Sequence, residues 1–315
     1  MSEILTVTLN PALDVATSVD HVVAGPKLRC EAPRYDPGGG GVNVSRAILR
    51  LGGRSRAFMA LGGDTGSTLQ SMLVAEGTDV VAFAVSGNTR QSFAVIEKTS
   101  GKQYRFQLPS PAWPPGQTDA LLALIGPHLT AHSLIVMSGS LPPGVPADIA
   151  STINRLAVKH GAQLILDTSG PALEAAATNS GPPFALLRMD GAEATEVSGQ
   201  SFANPAELAD YGQQLILNGV ADHLVMSMGA RGTAGVSADE RFFCQPPKLD
   251  TLSAIGAGDS MVAAIAMMLS TGGSFRDAVR QGVAAAGSAV LTPATELCSK
   301  ATADEILEKV VTDDI

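Results

Sequence analysis

The run IGAGDS, Ile255 to Ser260, stands directly before an apolar stretch, MVAAIAMML. Glycines at the start of a helix expose backbone N–H groups whose dipoles add to the helix's own, an arrangement that attracts anions. Gly256, Ala257 and Gly258 could therefore cradle the charge that develops on a transferring phosphoryl group, and Asp259 beside them could accept a proton from an attacking hydroxyl. A helix N-terminus favours the ionised carboxylate and so weakens it as a base. Phosphoryl transfer tolerates this, because its transition state is loose in most analyses and most of the catalysis is positioning and charge stabilisation. The same six residues also suit an Asp that merely caps its helix.

A second glycine-rich stretch, DPGGGGVNVSR at 36–46, precedes another helical pattern. Gly39 and Gly40 would let the backbone approach a ligand closely, although a flexible turn reads the same way. A dinucleotide fingerprint does not fit: the glycine spacing differs, and Phe58 and Met59 stand where a ribose-binding acid belongs. Asp14, in LNPALD, follows a strand-like segment and could accept hydrogen bonds from neighbouring sugar hydroxyls, or be an ordinary turn aspartate. Lys27, Arg29, Arg34, Arg90 and Arg105 suit a solvated strand face one by one; as a group they suggest a phosphate held by forked guanidinium groups. No Gly-x-x-x-x-Gly-Lys-Ser/Thr run occurs. Ser227, Gly229 and Gly232 follow a strand and could shape a nucleotide loop, while Asp190 and Glu193, at helical spacing, could hold Mg²⁺ through water. Each also reads as a plain loop or helix start.

The elements that must position these residues alternate. Short apolar segments at 4–8, 57–61, 133–137, 163–167, 184–187 and 223–227 are separated by helical periods at 42–51, 67–76, 119–129, 147–160 and 205–217, with long helices at 257–270 and 274–291. This predicts a doubly wound α/β domain over 1–315, its mostly parallel sheet covered by helices on both faces. Residues 91–108 read as a hairpin turning at Ser100-Gly101, and with the extended stretch 28–35 they predict a small antiparallel β lid, drawn from about 12–35 and 88–109.

A net charge of −9 and a pI near 5.0 oppose nucleic acid or an anionic membrane as the main partner. The three cysteines, Cys30, Cys244 and Cys298, lie far apart and fit a reducing cytosol. The N-terminal MSEILTVTL is too short in apolar residues for an export signal, and the five histidines show no metal-ligand spacing.

Together VTLNPALD, PGGGGVNVSRAI, SGSLPPG at 138–144, LDTSG at 166–170 and GAGDS at 256–260 resemble the ribokinase-like PfkB carbohydrate kinases over roughly residues 4–310. GPKLRCEAP, TRQSF, GKQYRFQLP and the late ELCS bring the chain nearest to the family's minor 6-phosphofructokinase branch. The resemblance implies ATP- and Mg²⁺-dependent phosphorylation of fructose 6-phosphate at C1, with tagatose 6-phosphate and fructose 1-phosphate as close alternatives. It makes Asp259 the base and Gly256–Gly258 the anion hole. Asp14, Gly39, Gly40, Asn43 and Ser140 would hold the sugar, and Lys27, Arg29, Arg90 and Arg105 its phosphate and the lid. Asp190, Ser227, Gly229 and Gly232 would serve the nucleotide and Glu193 the metal, in a homodimer clasped through the lids. The chain departs from the family's Lys-Pro-Asn-x-x-Glu at Arg188-Met189-Asp190-Gly191-Ala192-Glu193, and Ala254 replaces a common Thr. A carboxylate where the family has an amide would cost about a kcal/mol or more near a triphosphate. That departure also motivates a second class of reading, a sugar-phosphate-binding protein that has lost catalysis.

Overall fold

The computed structural model describes residues 2–293 and 296–315. In chain order its strands are β1 (Ile4–Thr8), β2 (Ala12–Val19), β3 (Arg34–Gly38), β4 (Arg56–Leu61), β5 (Asp79–Ala84), β6 (Arg90–Glu97), β7 (Gln103–Gln107), β8 (Leu134–Ser138), β9 (Gln163–Asp167), β10 (Leu186–Asp190), β11 (His223–Ser227), β12 (Thr233–Ser237), β13 (Arg241–Gln245) and β14 (Val311–Asp314). The α-helices are α1 (Gly40–Arg50), α2 (Gly63–Ala75), α3 (Gln117–Ile125), α4 (Ile149–Lys159), α5 (Pro171–Ala177), α6 (Gly191–Ser198), α7 (Pro205–Leu217), α8 (Ala257–Ser270), α9 (Phe275–Val290) and α10 (Lys300–Leu307).

Ten strands form the main sheet in the order β14-β13-β12-β11-β10-β9-β8-β1-β4-β5. From β11 to β5 every pairing is parallel, and β12, β13 and β14 add an antiparallel edge. Strict alternation explains why the strands read as continuous apolar runs. Leu5, Val7, Leu164 and Leu166 pack into one hydrophobic layer with α4 and α7, while Ile4 and Ile165 enter the other with α1, α8 and α9. No helix among the described residues is long and apolar enough to cross a membrane.

The crossover after β1 leads through α1 to β4, and the one after β8 leads through α4 to β9 on the opposite side. Adjacent strands with diverging connections open a crevice at their C-terminal ends, where ligands of such sheets bind. Thr8, Ser138, Asp167, Asp190 and Ser227 all end strands on this edge.

A second sheet of order β3-β2-β6-β7 stands above it. Its outer pairs are antiparallel, as expected, but the central pair β2–β6 is parallel. Both of these strands leave the same edge of the main sheet, one after β1 and one after β5, so they travel the same way. Asp14, Asp36, Arg90 and Arg105 share one face of this sheet through the registers Ala12↔Arg90, Asp14↔Asp36 and Ala94↔Arg105.

Candidate active site

Helix α8 starts at Gly256 with left-handed backbone (φ 76°), and a Cβ there would lie 2.5 Å from Leu297 Cδ2, so the position accepts only glycine without rearrangement. No side chain caps the helix. The Ala257 amide reaches the Ala254 carbonyl at 3.4 Å, and among the described residues the amides of Gly258 and Asp259 have no acceptor. Unclaimed first-turn N–H groups make an anion seat. Asp259 lies in the first turn rather than at the cap, so the alternative of a simple capping aspartate does not describe it.

The Asp259 carboxylate accepts a hydrogen bond from Asn43 Nδ2 at 2.9 Å, from the first turn of α1. Burial, reinforced by the Asp167 carboxylate and opposed by Asn43 and Arg188, raises its pKa from 3.8 to about 7. The expected weakening by the helix N-terminus is thus overridden: desolvation of the charged form wins, and Asp259 is a stronger base than a surface aspartate.

On one side of the cleft, Asp14 packs against Gly38 and has its pKa raised to about 6, by burial first, with Arg90 opposing, Asp36 adding and Arg105 and Arg46 opposing. Gly40 brings α1 against the end of β8, where a Cβ would lie 2.3 Å from Ser138 Oγ; Gly39 precedes it as the N-cap of α1. Asn10 Nδ2 donates to Ser140 Oγ at 3.1 Å, and Arg90 Nη2 donates to the Asn10 carbonyl at 3.4 Å. Arg105 is exposed on β7 yet close enough to act on the Asp14 charge. Lys27 and Arg29 are exposed in the irregular segment between β2 and β3, without a hydrogen bond or ion pair to the cleft. Arg34 pairs with Asp36 at 2.8 Å and Glu296 at 3.4 Å.

On the other side of the cleft, Asp190 and Glu193 form a capping box on α6: Asp190 Oδ1 accepts from the Ala192 and Glu193 amides, and Glu193 Oε2 accepts from the Asp190 amide. The helix-start reading of this pair is therefore realised. Among the described residues no three His, Cys, Asp or Glu side chains converge as a metal cluster. Ser227 lies beside Asp190 in register, with its hydroxyl turned inward toward Met261 and Thr233, and Gly229 and Gly232 bracket the short helical turn that follows.

Asp167 and Arg188 join the two sides, and residue spacing alone did not single out Asp167. Its carboxylate accepts from Ser138 Oγ at 3.0 Å and from Arg188 Nη1 at 3.2 Å. Arg188 also approaches Glu193 at 3.8 Å, and its guanidinium would lie 3.2 Å from a Cβ on Gly258. The available signal was positional, since Asp167 ends a parallel strand inside LDTSG.

Amides without an acceptor among the described residues, at a helix start with a half-buried carboxylate beside them and at the divergence point of a doubly wound sheet, are the equipment of a kinase acting on a small alcohol. The chain belongs to the pfkB family of carbohydrate kinases, whose pattern covers residues 8–302. It is 39% identical to the ATP-dependent 6-phosphofructokinase isozyme 2 of Mycobacterium tuberculosis over 307 residues, 97% of this chain and 89% of that protein. The Escherichia coli protein of the same name is 36% identical over 95% of this chain and 96% of its own length. Phosphofructokinase-2 from Escherichia coli in complex with fructose-6-phosphate matches with a TM-score of 0.90 at 35% identity, over 98% of this chain and 99% of that one.

Proposed function

We propose that this chain transfers the γ-phosphoryl group of ATP to the C1 hydroxyl of fructose 6-phosphate, giving ADP and fructose 1,6-bisphosphate. The observation that carries the reading is Asp259, half-buried, raised to about 7 and held by Asn43, beside the unclaimed amides of α8. As the C1 oxygen forms its bond to the γ-phosphorus, the bond from that phosphorus to the bridging oxygen of ADP breaks. The hydroxyl proton passes to Asp259, and the amides of Gly258 and its neighbours stabilise the charge on the migrating group. Asp14, Asn43, Ser140 and the backbone of Gly39 and Gly40 would orient the sugar; Arg90 and Arg105, with Lys27 and Arg29 in the lid, would hold its phosphate.

Asp190, Ser227, Gly229 and Gly232 would line the nucleotide. Among the described residues Glu193 Oε1 has no partner; it is a hard donor suited to Mg²⁺ through water, and the ion would neutralise triphosphate charge. Exposed Tyr35, Phe106 and Leu108 put apolar side chains on the face of the second sheet opposite Asp14, fit for a second copy, so a homodimer clasped through this sheet, with Arg105 acting across it, accompanies the reading. A cytoplasmic location agrees with three unpaired cysteines.

The test is ADP release with ATP and Mg²⁺ on fructose 6-phosphate, fructose 1-phosphate and tagatose 6-phosphate. Preference for fructose 6-phosphate is expected. Clear turnover of another sugar with none of this one would replace the substrate, and sugar binding without any ADP release would make the chain a binding protein.

A further inference from the structure

Arg46 lies on α1 three residues after Asn43, buried to 3% exposure. Every arm of its guanidinium is engaged: Nε and Nη2 donate to the two carboxylate oxygens of Glu76 at 2.8 and 2.9 Å, and Nη1 donates to the Pro37 carbonyl at 3.1 Å. Pro37 is the residue at which β3 runs into the glycine stretch, one before Gly38, which packs on Asp14, and three before Gly40, which packs on Ser138. Glu76 caps the C-terminal end of α2. The opposite end of α2 grips the other entrance to the lid sheet. The Gly62 amide donates to Thr89 Oγ1, the Thr89 amide donates to the Gly62 carbonyl, and Thr65 Oγ1 donates to the Thr89 carbonyl, directly before Arg90 begins β6.

A buried ion pair is a weak device for stability, since well-packed apolar residues of similar volume often serve as well or better. A forked guanidinium holding a carboxylate and a carbonyl at once is a strong device for geometry. Helix α1 therefore fixes the base through Asn43 and the seat of the sugar through Arg46, and α2 ties the two lid entrances together.

We infer that Arg46 is a positioning residue for the acceptor sugar: by holding Pro37 against α2 through Glu76, it sets the distance between the glycine run that carries Asp14's packing surface and the base on α8. The inference rests on the sugar-phosphate kinase reading above. It acts through Pro37 and Glu76, and its charge also favours ionised Asp14, so it bears on the sugar side and leaves the nucleotide loops of β10 and β11 untouched.

The experiment compares the full-length parent with Arg46→Met, which keeps the bulk of the stem, and Arg46→Lys, which keeps the charge and loses the fork. Parent turnover of fructose 6-phosphate is measured first, and its absence would count against the kinase reading rather than against Arg46; the variants are then assayed with whichever panel sugar the parent phosphorylates. Because a misplacement of about 1 Å can cost on the order of 10²-fold, both variants are expected to raise the KM for that sugar about ten- to a hundredfold. The KM for ATP should stay within about twofold, and the thermal shift produced by the sugar alone should shrink in the same variants. Glu76→Gln, which leaves the Pro37 bond, should show a smaller rise. An unchanged sugar KM in either folded variant, an equal rise in both KM values, or loss of folded protein in both variants would overturn the inference.

Discussion

Asp259→Asn separates the two consequences of burying a carboxylate at the head of α8. The folded chain keeps the Asp259 proton up to about pH 7, whereas an unperturbed aspartate releases it near 3.8. Between those limits the folded state binds more protons than the unfolded one, so this group's contribution to stability is full below 3.8 and is lost as pH rises through 7. At about 1.4 kcal/mol per pH unit, the loss is roughly 4 kcal/mol at pH 8 and roughly 1.6 kcal/mol at pH 5. Asparagine has no such penalty, and Asp14 and Asp167 are present in both proteins and cancel to first order. The advantage of the variant over the parent should therefore grow by about 2–3 kcal/mol between pH 5 and pH 8, which for a chain of this size is roughly 4–6 °C in melting temperature. Turnover should fall by about 10²–10⁴, the usual worth of a general base, while the thermal shift produced by the sugar persists. Ligand-free melting at the two pH values, together with ADP release at pH 8, reads both effects. A melting advantage that is the same at pH 5 and pH 8 would show that Asp259 does not hold its proton to neutrality, and a variant that keeps most of its turnover would remove it as the base.

Three further outcomes follow from the same geometry. Asn43→Ala deletes the hydrogen bond that favours ionised Asp259, so the acid limb of the kcat profile should move up by as much as about one pH unit; a limb that stays in place would deny the coupling. Asp14→Asn should raise the KM for the sugar about ten- to a hundredfold with the KM for ATP unchanged, the scale of a hydrogen bond to a charged group, and steady-state kinetics with each substrate varied would show it. Asp190→Asn should preserve α6, because the two residues cap helices equally well, while removing a negative charge worth about 1 kcal/mol near the triphosphate. A severalfold lower KM for MgATP at unchanged melting temperature is the expected result.

Elements whose apolar pattern is long or bounded by clear stops were legible in the sequence: β1, β9, β11, α7 and α8 fall on the expected residues. The structure adds β5, β12, β13 and β14 to the expected strands and places β2 within the expected lid range; β2 and β5 are poor in the usual signals. β2 follows Pro11 without an intervening turn, and β5 is an edge strand with exposed and half-buried positions mixed. Asp190 and Glu193 show how one spacing serves two ends, since an acid followed three residues later by Glu is a helix-start signature as well as a pair of oxygen donors. The partnerships that define the site had no local signal at all. Asn43 and Asp259 are 216 positions apart, and Arg46 meets Glu76 only because α1 and α2 lie side by side after β3 and β4 are placed. Residue type and strand-end position named the individual groups; only the sheet order said which would meet.

Burial raises both cleft carboxylates, and what surrounds each of them differs. Around Asp14 the desolvation is opposed by Arg90, Arg105 and Arg46, so its pKa is about 6, which suits the acceptor of sugar hydroxyls proposed above. Asp259 has a neutral amide as its hydrogen-bond partner, and the Arg188 guanidinium that lowers its pKa is shared with Asp167 and Glu193, so desolvation prevails and the pKa is about 7. A base poised there can take a proton during the reaction and release it to water afterwards. Had Arg188 paired with Asp259 directly, the carboxylate would be ionised but a weaker base; Arg188 instead donates to Asp167 at 3.2 Å, which under the proposed reaction would leave Asp259 free to act as the base.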